Sequence, residues 1–386
     1  MALIYDFEKD IAGARLNSKI KEELRALFRD HLSAAHSKTR KSEAPLGVKT
    51  QRMRSLCILA AIELLQNEGN YRFESMSSLK EKHIHYLLDH WIAKNHTRGT
   101  IENKITYLAT LARWLRKTNL VKAADEYEQL KKLETRSGIT MNDKSWEAVG
   151  IDAQKVIGLI AIENKHIGVQ LLLQITFGLR TEESMLLRPA DVIMRRKEYT
   201  YLMISDGTKG GRPRRIDVQN EQDLDVIYLA ETLANRKSRS TIPAEYTLNE
   251  WKNIYYYTLS KYGFTKKNLG VTAHGLRHQY MQNLYQQLTG TDSPVRGGEQ
   301  PSKDILTQAR QIITEHAGHS RASKANAYIG SHAAIKAKTS KDLTNRQILE
   351  SLQKNGGNKM EAAKQLKCSR SYLYQRLKEI DNHDHA

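Results

Sequence analysis

The chain has 386 residues, with 61 Lys and Arg against 43 Asp and Glu, a net charge of +18 and a pI near 9.6. Its length calls for two or more domains, and 40% hydrophobic content supports real cores and excludes wholesale disorder. Two distant cysteines, Cys57 and Cys368, exclude a disulfide scaffold or a cysteine-rich zinc site, no apolar run is long enough to span a bilayer, and the basic excess points to a polyanion, nucleic acid by default.

Few prolines and frequent Leu, Glu, Lys and Ala predict a mostly helical chain. The start meets charge at once, so no signal peptide is expected and a reducing, intracellular setting fits. Residues 1–44 read as an N-terminal helical extension, with an amphipathic helix over 18–35, Ser18 as its N-cap, and a polar linker from Ser37 to Pro45. Residues 45–136 read as a small basic bundle of four helices, near 48–67, 78–94, 99–117 and 121–135. In the third, Ile101, Ile105, Leu108, Leu111, Trp114 and Leu115 follow helical spacing, and Trp91 and Trp114 read as core residues. A linker from Ser137 to Asp143 leads into 144–340. There, 153–188 and 221–285 look helical, 199–204 and 213–218 look like strands, and the glycine-rich turn between the strands carries Lys209. Residues 289–302 form a long Gly/Pro-rich loop. The last segment, 343–381, reads as three short helices, with Asn358 and Ser369 as caps. The basic excess recurs in all four segments, which suits a protein holding a polyanion with several domains.

Four spots in 144–340 stand out as a set. Arg180 opens an apolar helix with Glu183 one turn on, where it can hold the guanidinium. Lys209 sits at a hairpin tip. His274-Gly-Leu-Arg277-His278 puts His274 and Arg277 on one helix face. Gly318-His319 is followed nine residues later by Tyr328. Singly, the first is an ordinary ion pair and the second a solvated turn. Tyr280 and Tyr285 read as packing residues, and His278 and His316 as structural. A metal cluster of His274, His278, His316 and His319 is disfavoured, because no H-E-x-x-H occurs and the arginine among them repels a cation.

In that order the set resembles the tyrosine recombinase (phage integrase) family over about 144–335. More loosely, 46–136 looks like that family's helical core-binding domain. The resemblance implies a helical core-binding bundle and an α+β catalytic domain over 144–340; with the C-terminal module described below, the fold class is mainly α with a small β-sheet and a C-terminal three-helix helix-turn-helix. It implies that Tyr328 attacks a backbone phosphate and forms a 3′-phosphotyrosine, whose stored bond energy permits religation without ATP. Arg180 and Arg277 would grip the non-bridging oxygens, with His319 as a further donor. Lys209 would protonate the leaving 5′-oxygen, His274 would take the tyrosine proton or orient the site, and Glu183 would support it. No metal or cofactor is required. The implied partners are double-stranded DNA, a homotetramer on paired sites, and accessory DNA-bending or directionality proteins; no membrane is implied. A mobile-element integrase in the bacterial cytoplasm, at the nucleoid, is the leading reading. A telomere resolvase or type IB topoisomerase would use the same chemistry, and a non-catalytic regulator could use the same scaffold. Candidate DNA contacts outside the centre are Arg98 and Lys104 on the bundle and Arg212 and Arg214 on the hairpin.

Two departures from the family pattern stand out. His278 and His319 are 41 residues apart because of the 289–302 loop, read here as an inert, mobile spacer or else a contact to DNA or a neighbouring subunit. Only Ser331 to Ser340 separates the tyrosine segment from the next module, where the family often has a helix that docks on a neighbour. That module resembles the Fis-type helix-turn-helix in its Gly356-Gly357-Asn358 turn, its Ala362-Ala363 pair and its Ser369-Arg370-x-x-Leu373-Tyr374-x-x-Leu377 run. Ile348, Leu352, Leu366, Leu373 and Leu377 can form a mini-core. The third helix would offer Arg370, Ser371, Tyr374, Gln375 and Lys378 to a major groove. A small protein-interaction bundle is the alternative.

Overall fold

A computed structural model describes residues 4–35, 45–135, 137–197, 199–208, 211–341, 343–366, 368, 372–374, 376–377 and 380. The chain divides into two units, Met1–Ser137 and Gly138–Ala386. The fold is mainly helical with one small sheet. Among the described residues, no helix is long and apolar enough to cross a membrane.

The first unit contains helices Glu8–Gly13, Ser18–His31, Val48–Asn67, Glu81–Ala93 and Arg98–Trp114. The N-terminal extension is not separate from the bundle. Ile11, Ile20, Leu24 and Phe28 share one core with Ile58, Ile62, Leu87, Leu108 and Trp114. The stripe Ile20–Leu24–Phe28 recurs every fourth residue and must be covered, and the bundle covers it. Trp91 and Trp114 are buried in this core, as expected. The helix at Ser18 is capped by Asn17, not by Ser18. Asn17 is in extended backbone, and its side chain accepts from the Ile20 amide at 2.9 Å. The expected helix over 121–135 is reduced to short turns at Ala124–Glu126 and Glu128–Lys131. Buried Tyr127 interrupts it, folding back so that its hydroxyl accepts from the Lys122 amide at 3.0 Å. The expected linker at 37–45 lies outside the described residues except for Pro45.

In the second unit the helical stretch 153–188 breaks at Asn164 and Gly178 into Ala153–Glu163, Lys165–Phe177 and Thr181–Leu186. Strands β1 (Ile193–Arg195), β2 (Thr200–Ile204) and β3 (Arg214–Asp217) form an antiparallel sheet in that order, with β1 an addition to the two strands expected. Ile204 pairs with Arg214, so the hairpin carrying Lys209 bridges β2 and β3. Helices Glu221–Thr232, Leu248–Lys261, His274–Thr289 and Lys303–His316 follow, then the short helix Asn326–Ile329 and the helix His332–Lys341. Trp146 anchors the entry to this unit. It stacks on Phe264 at 3.9 Å between centroids and donates its indole N–H to the Thr272 carbonyl at 2.9 Å.

The 289–302 loop is packed rather than an inert spacer. It contains the 3-10 turn Pro294–Arg296, and Ser293 and Pro294 are buried. Beyond it, the C-terminal segment forms Asn345–Lys354 and Lys359–Gln365, with the Asn358 side chain accepting from the amides of Met360 and Glu361. Ile348, Ala362, Ala363, Cys368, Leu373 and Leu377 make a core of their own. Ser369, the expected cap of the third helix, lies outside the described residues.

Candidate active site

Glu183 is the electrostatic hub of the second unit. It is 0% exposed, in the first turn of Thr181–Leu186. Its carboxylate accepts from the Arg180 amide and the Arg180 Nη1, both at 2.6 Å. It also accepts from both terminal nitrogens of Arg214, at 2.6 and 2.7 Å, and lies 3.8 Å from Arg277 Nη1. Burial pushes the Glu183 pKa up, but the hydrogen bonds and charges of Arg214, Arg277 and Arg180 outweigh it and hold the group at about 2. Three arginines thus share one carboxylate, which leaves the cluster with excess positive charge.

Arg214 was expected on DNA. It is 4% exposed instead, with its fork spent bidentately on Glu183. The alternation along β3 explains this: Arg214 and Ile216 point inward, while Arg215 and Asp217 are half-buried on the other face. Arg215 lies over the rings of Tyr199 and Tyr201.

Arg180 and Arg277 converge on one acceptor. Arg180 Nη2 donates to the Ala317 carbonyl at 2.8 Å and Arg277 Nη2 to the same oxygen at 2.7 Å. Arg277 is 0% exposed and also donates to the Gly178 carbonyl. Burial lowers its pKa to about 10, so it stays cationic at neutral pH. The Ala317 carbonyl precedes Gly318, whose φ of +64° is left-handed. A Cβ on Gly318 would lie 3.1 Å from Arg214 Cδ, and Arg214 cannot retreat without leaving Glu183. Gly318→Ala is therefore expected to lower stability by about 1–2 kcal/mol, read as a lower thermal midpoint of the second unit. An unchanged midpoint would contradict this account of the turn.

Tyr328 closes the site. It is 5% exposed, and its hydroxyl accepts from Arg277 Nε at 3.1 Å and lies 3.5 Å from His319 Nε2. Three histidine rings surround it, with centroids at 5.1 Å for His278 and 6.2 Å for both His274 and His319. Burial lowers the His278 pKa to about 3. His274 is lowered to about 4 by desolvation and then by Arg277, Arg180 and Lys144. Desolvation, reinforced by repulsion from these cations, keeps it neutral at pH 7. His316 is buried, neutral for the same reason as His278, and its Nδ1 lies 2.8 Å from the Tyr280 hydroxyl.

The structure brings Arg180, Glu183, His274, Arg277, His319 and Tyr328 together. Lys209 lies outside the described residues, as do Arg370, Gln375 and Lys378 of the helix-turn-helix. Tyr374 is 54% exposed there, with Lys359 Nζ 4.8 Å from its ring centroid, and Arg212 is exposed on the hairpin. On the bundle, Arg98 is 7% exposed and bound to Glu102, Asp125 and the Leu130 carbonyl, so its fork serves the fold rather than DNA. Lys104 is half-buried, 4.5 Å from the Trp91 ring centroid and 3.1 Å from His96 Nδ1. Sequence reasoning missed Arg214 as a partner of Glu183, although the strand alternation was readable.

Residues 138–283 match the family model described as Integrase, and residues 345–379 match the model described as Bacterial regulatory protein, Fis family. The first match spans Arg180, Glu183, His274 and Arg277 but ends before His319 and Tyr328, which join the site through geometry. No curated protein matches the chain. Among solved structures, it is similar to XerH site-specific recombinase bound to difH substrate in a pre-cleavage complex (15% identity, 75% of this chain and 80% of that one, TM-score 0.48). It is similar to the Tn1549 transposon integrase in complex with transposon right end DNA (13% identity, 83% and 99%, TM-score 0.48). It is also similar to a lambda integrase dimer bound to a core site (12% identity, 79% and 76%, TM-score 0.49).

Proposed function

We propose that this chain, which carries an integrase domain at 138–283 and a Fis-type segment at 345–379, cuts and rejoins duplex DNA through a covalent bond to Tyr328. One observation carries the reading: the phenolic oxygen of Tyr328 accepts from Arg277 Nε at 3.1 Å, inside a cluster where three arginines share a single carboxylate. That arrangement suits a nucleophile aimed at a phosphate. The arginine N–H groups oppose the charge that builds on the non-bridging oxygens as the Tyr328 O–P bond forms and the P–O5′ bond breaks. The phenol proton needs an acceptor, and His319 at 3.5 Å is the imidazole nearest the phenolic oxygen among the contacts described. The leaving 5′-oxygen needs a proton, a role the resemblance gives to Lys209. Arg277 is closed to solvent beneath Tyr328, so a swing of the phenol about its side-chain torsions would open the guanidinium to a phosphate.

Religation to a different 5′-hydroxyl makes the product recombined DNA, as integration or excision of a mobile element requires. A homotetramer on paired sites in the bacterial nucleoid belongs to this proposal. The test is a nicked suicide duplex, on which the wild type should trap a covalent protein–DNA adduct. Its absence would favour a non-catalytic DNA-binding regulator.

The C-terminal module supplies a second grip on DNA. Deleting 341–386 is expected to weaken duplex affinity by roughly tenfold or more, because a tethered second site multiplies affinity through effective concentration. It should also flatten the dependence of affinity on salt, since fewer phosphates are neutralised. Fluorescence anisotropy across a salt series reads both effects. Unchanged affinity, site choice and salt slope would remove this module from the DNA.

A further inference from the structure

Tyr328 sits on a helix of four residues, Asn326–Ile329, too short to hold its own geometry. Its placement must come from elsewhere. The Thr140 amide donates to the Asn326 carbonyl at 3.0 Å. Gln282, 0% exposed on His274–Thr289, places its Nε2 3.5 Å from the Tyr328 carbonyl and donates from the same nitrogen to Asp143 Oδ1 at 2.8 Å. The other end of that amide, Oε1, accepts from the buried Ser293 hydroxyl at 3.4 Å. Asp143 Oδ2 accepts from Arg296 Nε at 3.0 Å. Arg296 also donates to Asn283 Oδ1 at 3.1 Å and Glu147 Oε2 at 2.8 Å.

Ser293 and Arg296 both belong to the 289–302 loop. The same loop meets the tyrosine segment at its end. Gly330 has a φ of +80°, and a Cβ there would lie 2.6 Å from Val295 Cγ1. The loop therefore contacts the tyrosine segment directly at Gly330, and through Asp143 and Gln282 at the backbone of the nucleophile itself.

We infer that Arg296 is a positioning residue for strand cleavage: it fixes Asp143, Asp143 fixes the Gln282 amide, and Gln282 with Thr140 fixes the main chain that carries Tyr328. Arg296 touches no reacting atom. The inference rests on Tyr328 being the nucleophile. The fixed backbone gives the phenol a constant pivot, so that a side-chain rotation alone moves it between Arg277 and a phosphate.

The test uses the full chain on a nicked duplex at saturating DNA, with adduct formation rate, DNA affinity and melting temperature measured on each variant. Arg296→Ala is expected to slow adduct formation by about 10- to 100-fold, the scale of a sub-ångström to ångström misplacement, with affinity within about twofold. Arg296→Lys, which keeps one donor toward Asp143, should recover most of the rate. Glu147→Gln, which removes only the outer partner of Arg296, should stay within about twofold of the wild type. Arg296→Ala at the wild-type rate, a loss in affinity in place of rate, or an equal loss in Glu147→Gln would each overturn the inference. If the wild type forms no adduct, the Tyr328 reading falls and this inference falls with it. A wild-type adduct together with an unaffected Arg296→Ala overturns this inference alone.

Discussion

Tyr328→Phe should abolish the covalent adduct on a nicked duplex, a loss on the order of 10⁴-fold or more in cleavage rate, the scale seen when a nucleophile is removed from an otherwise intact site. The substitution deletes one oxygen. It takes away the Arg277 Nε and His319 Nε2 contacts and leaves the ring among His274, His278 and His319. The stability change should be small, about 1–3 kcal/mol, from leaving the buried Arg277 Nε without its acceptor. DNA affinity should be retained, because the cations proposed to hold the phosphate remain. Denaturing electrophoresis of the trapped complex reads the outcome. An adduct from Tyr328→Phe would move the nucleophile to another tyrosine. The two on the neighbouring helix are poorly placed for that: Tyr280 has its hydroxyl on His316, and Tyr285 is wholly buried.

The parts of this site that are local in sequence are the parts the sequence reveals. Arg180 and Glu183 are one helical turn apart, as are His274 and Arg277, so spacing alone puts each pair on one face. The nine-residue interval from His319 to Tyr328 likewise corresponds to their approach in space. Arg214 is a different case. Beside Arg212 and Arg215 it reads as one of a run of cations facing DNA, and only the two-residue period of β3 distinguishes the inward arginine from the outward one. Asp143 and Arg296 are 153 residues apart, and no periodicity links a loop to a domain entry at that distance. The same limit applies to the N-terminal extension. Its apolar stripe was visible and demanded a partner, but the stripe could not name Ile58, Ile62 and Trp114 as that partner.

Glu183→Gln should cost about 3–5 kcal/mol in the second unit, the price of removing one member of a buried ion cluster. Gln keeps the shape and can still accept from the Arg180 amide, so packing is not the cause. The loss is electrostatic: Arg214 and Arg277, with side chains 2% and 0% exposed, would be left without their counter-charge. The pH dependence gives an independent check. Glu183 is held at about 2, below the ordinary 4.5 of a glutamate, so folding favours its ionised form. Its contribution is complete above about pH 4.5 and is lost as the pH falls toward 2, a swing on the order of 3 kcal/mol. The wild type should therefore lose stability steeply across that window, and Glu183→Gln should show a shallower slope there while being less stable at neutral pH. Chemical denaturation at a series of pH values measures both. Parallel slopes in the two proteins would mean that the acid sensitivity arises elsewhere. The same substitution should cost cleavage activity as well as stability. Arg180 and Arg277 meet at the Ala317 carbonyl through their Nη2 atoms, while Glu183 holds the Nη1 of Arg180. Without that carboxylate, the mutual repulsion of three guanidinium groups would spread the pair that, under the proposed mechanism, closes on one phosphate.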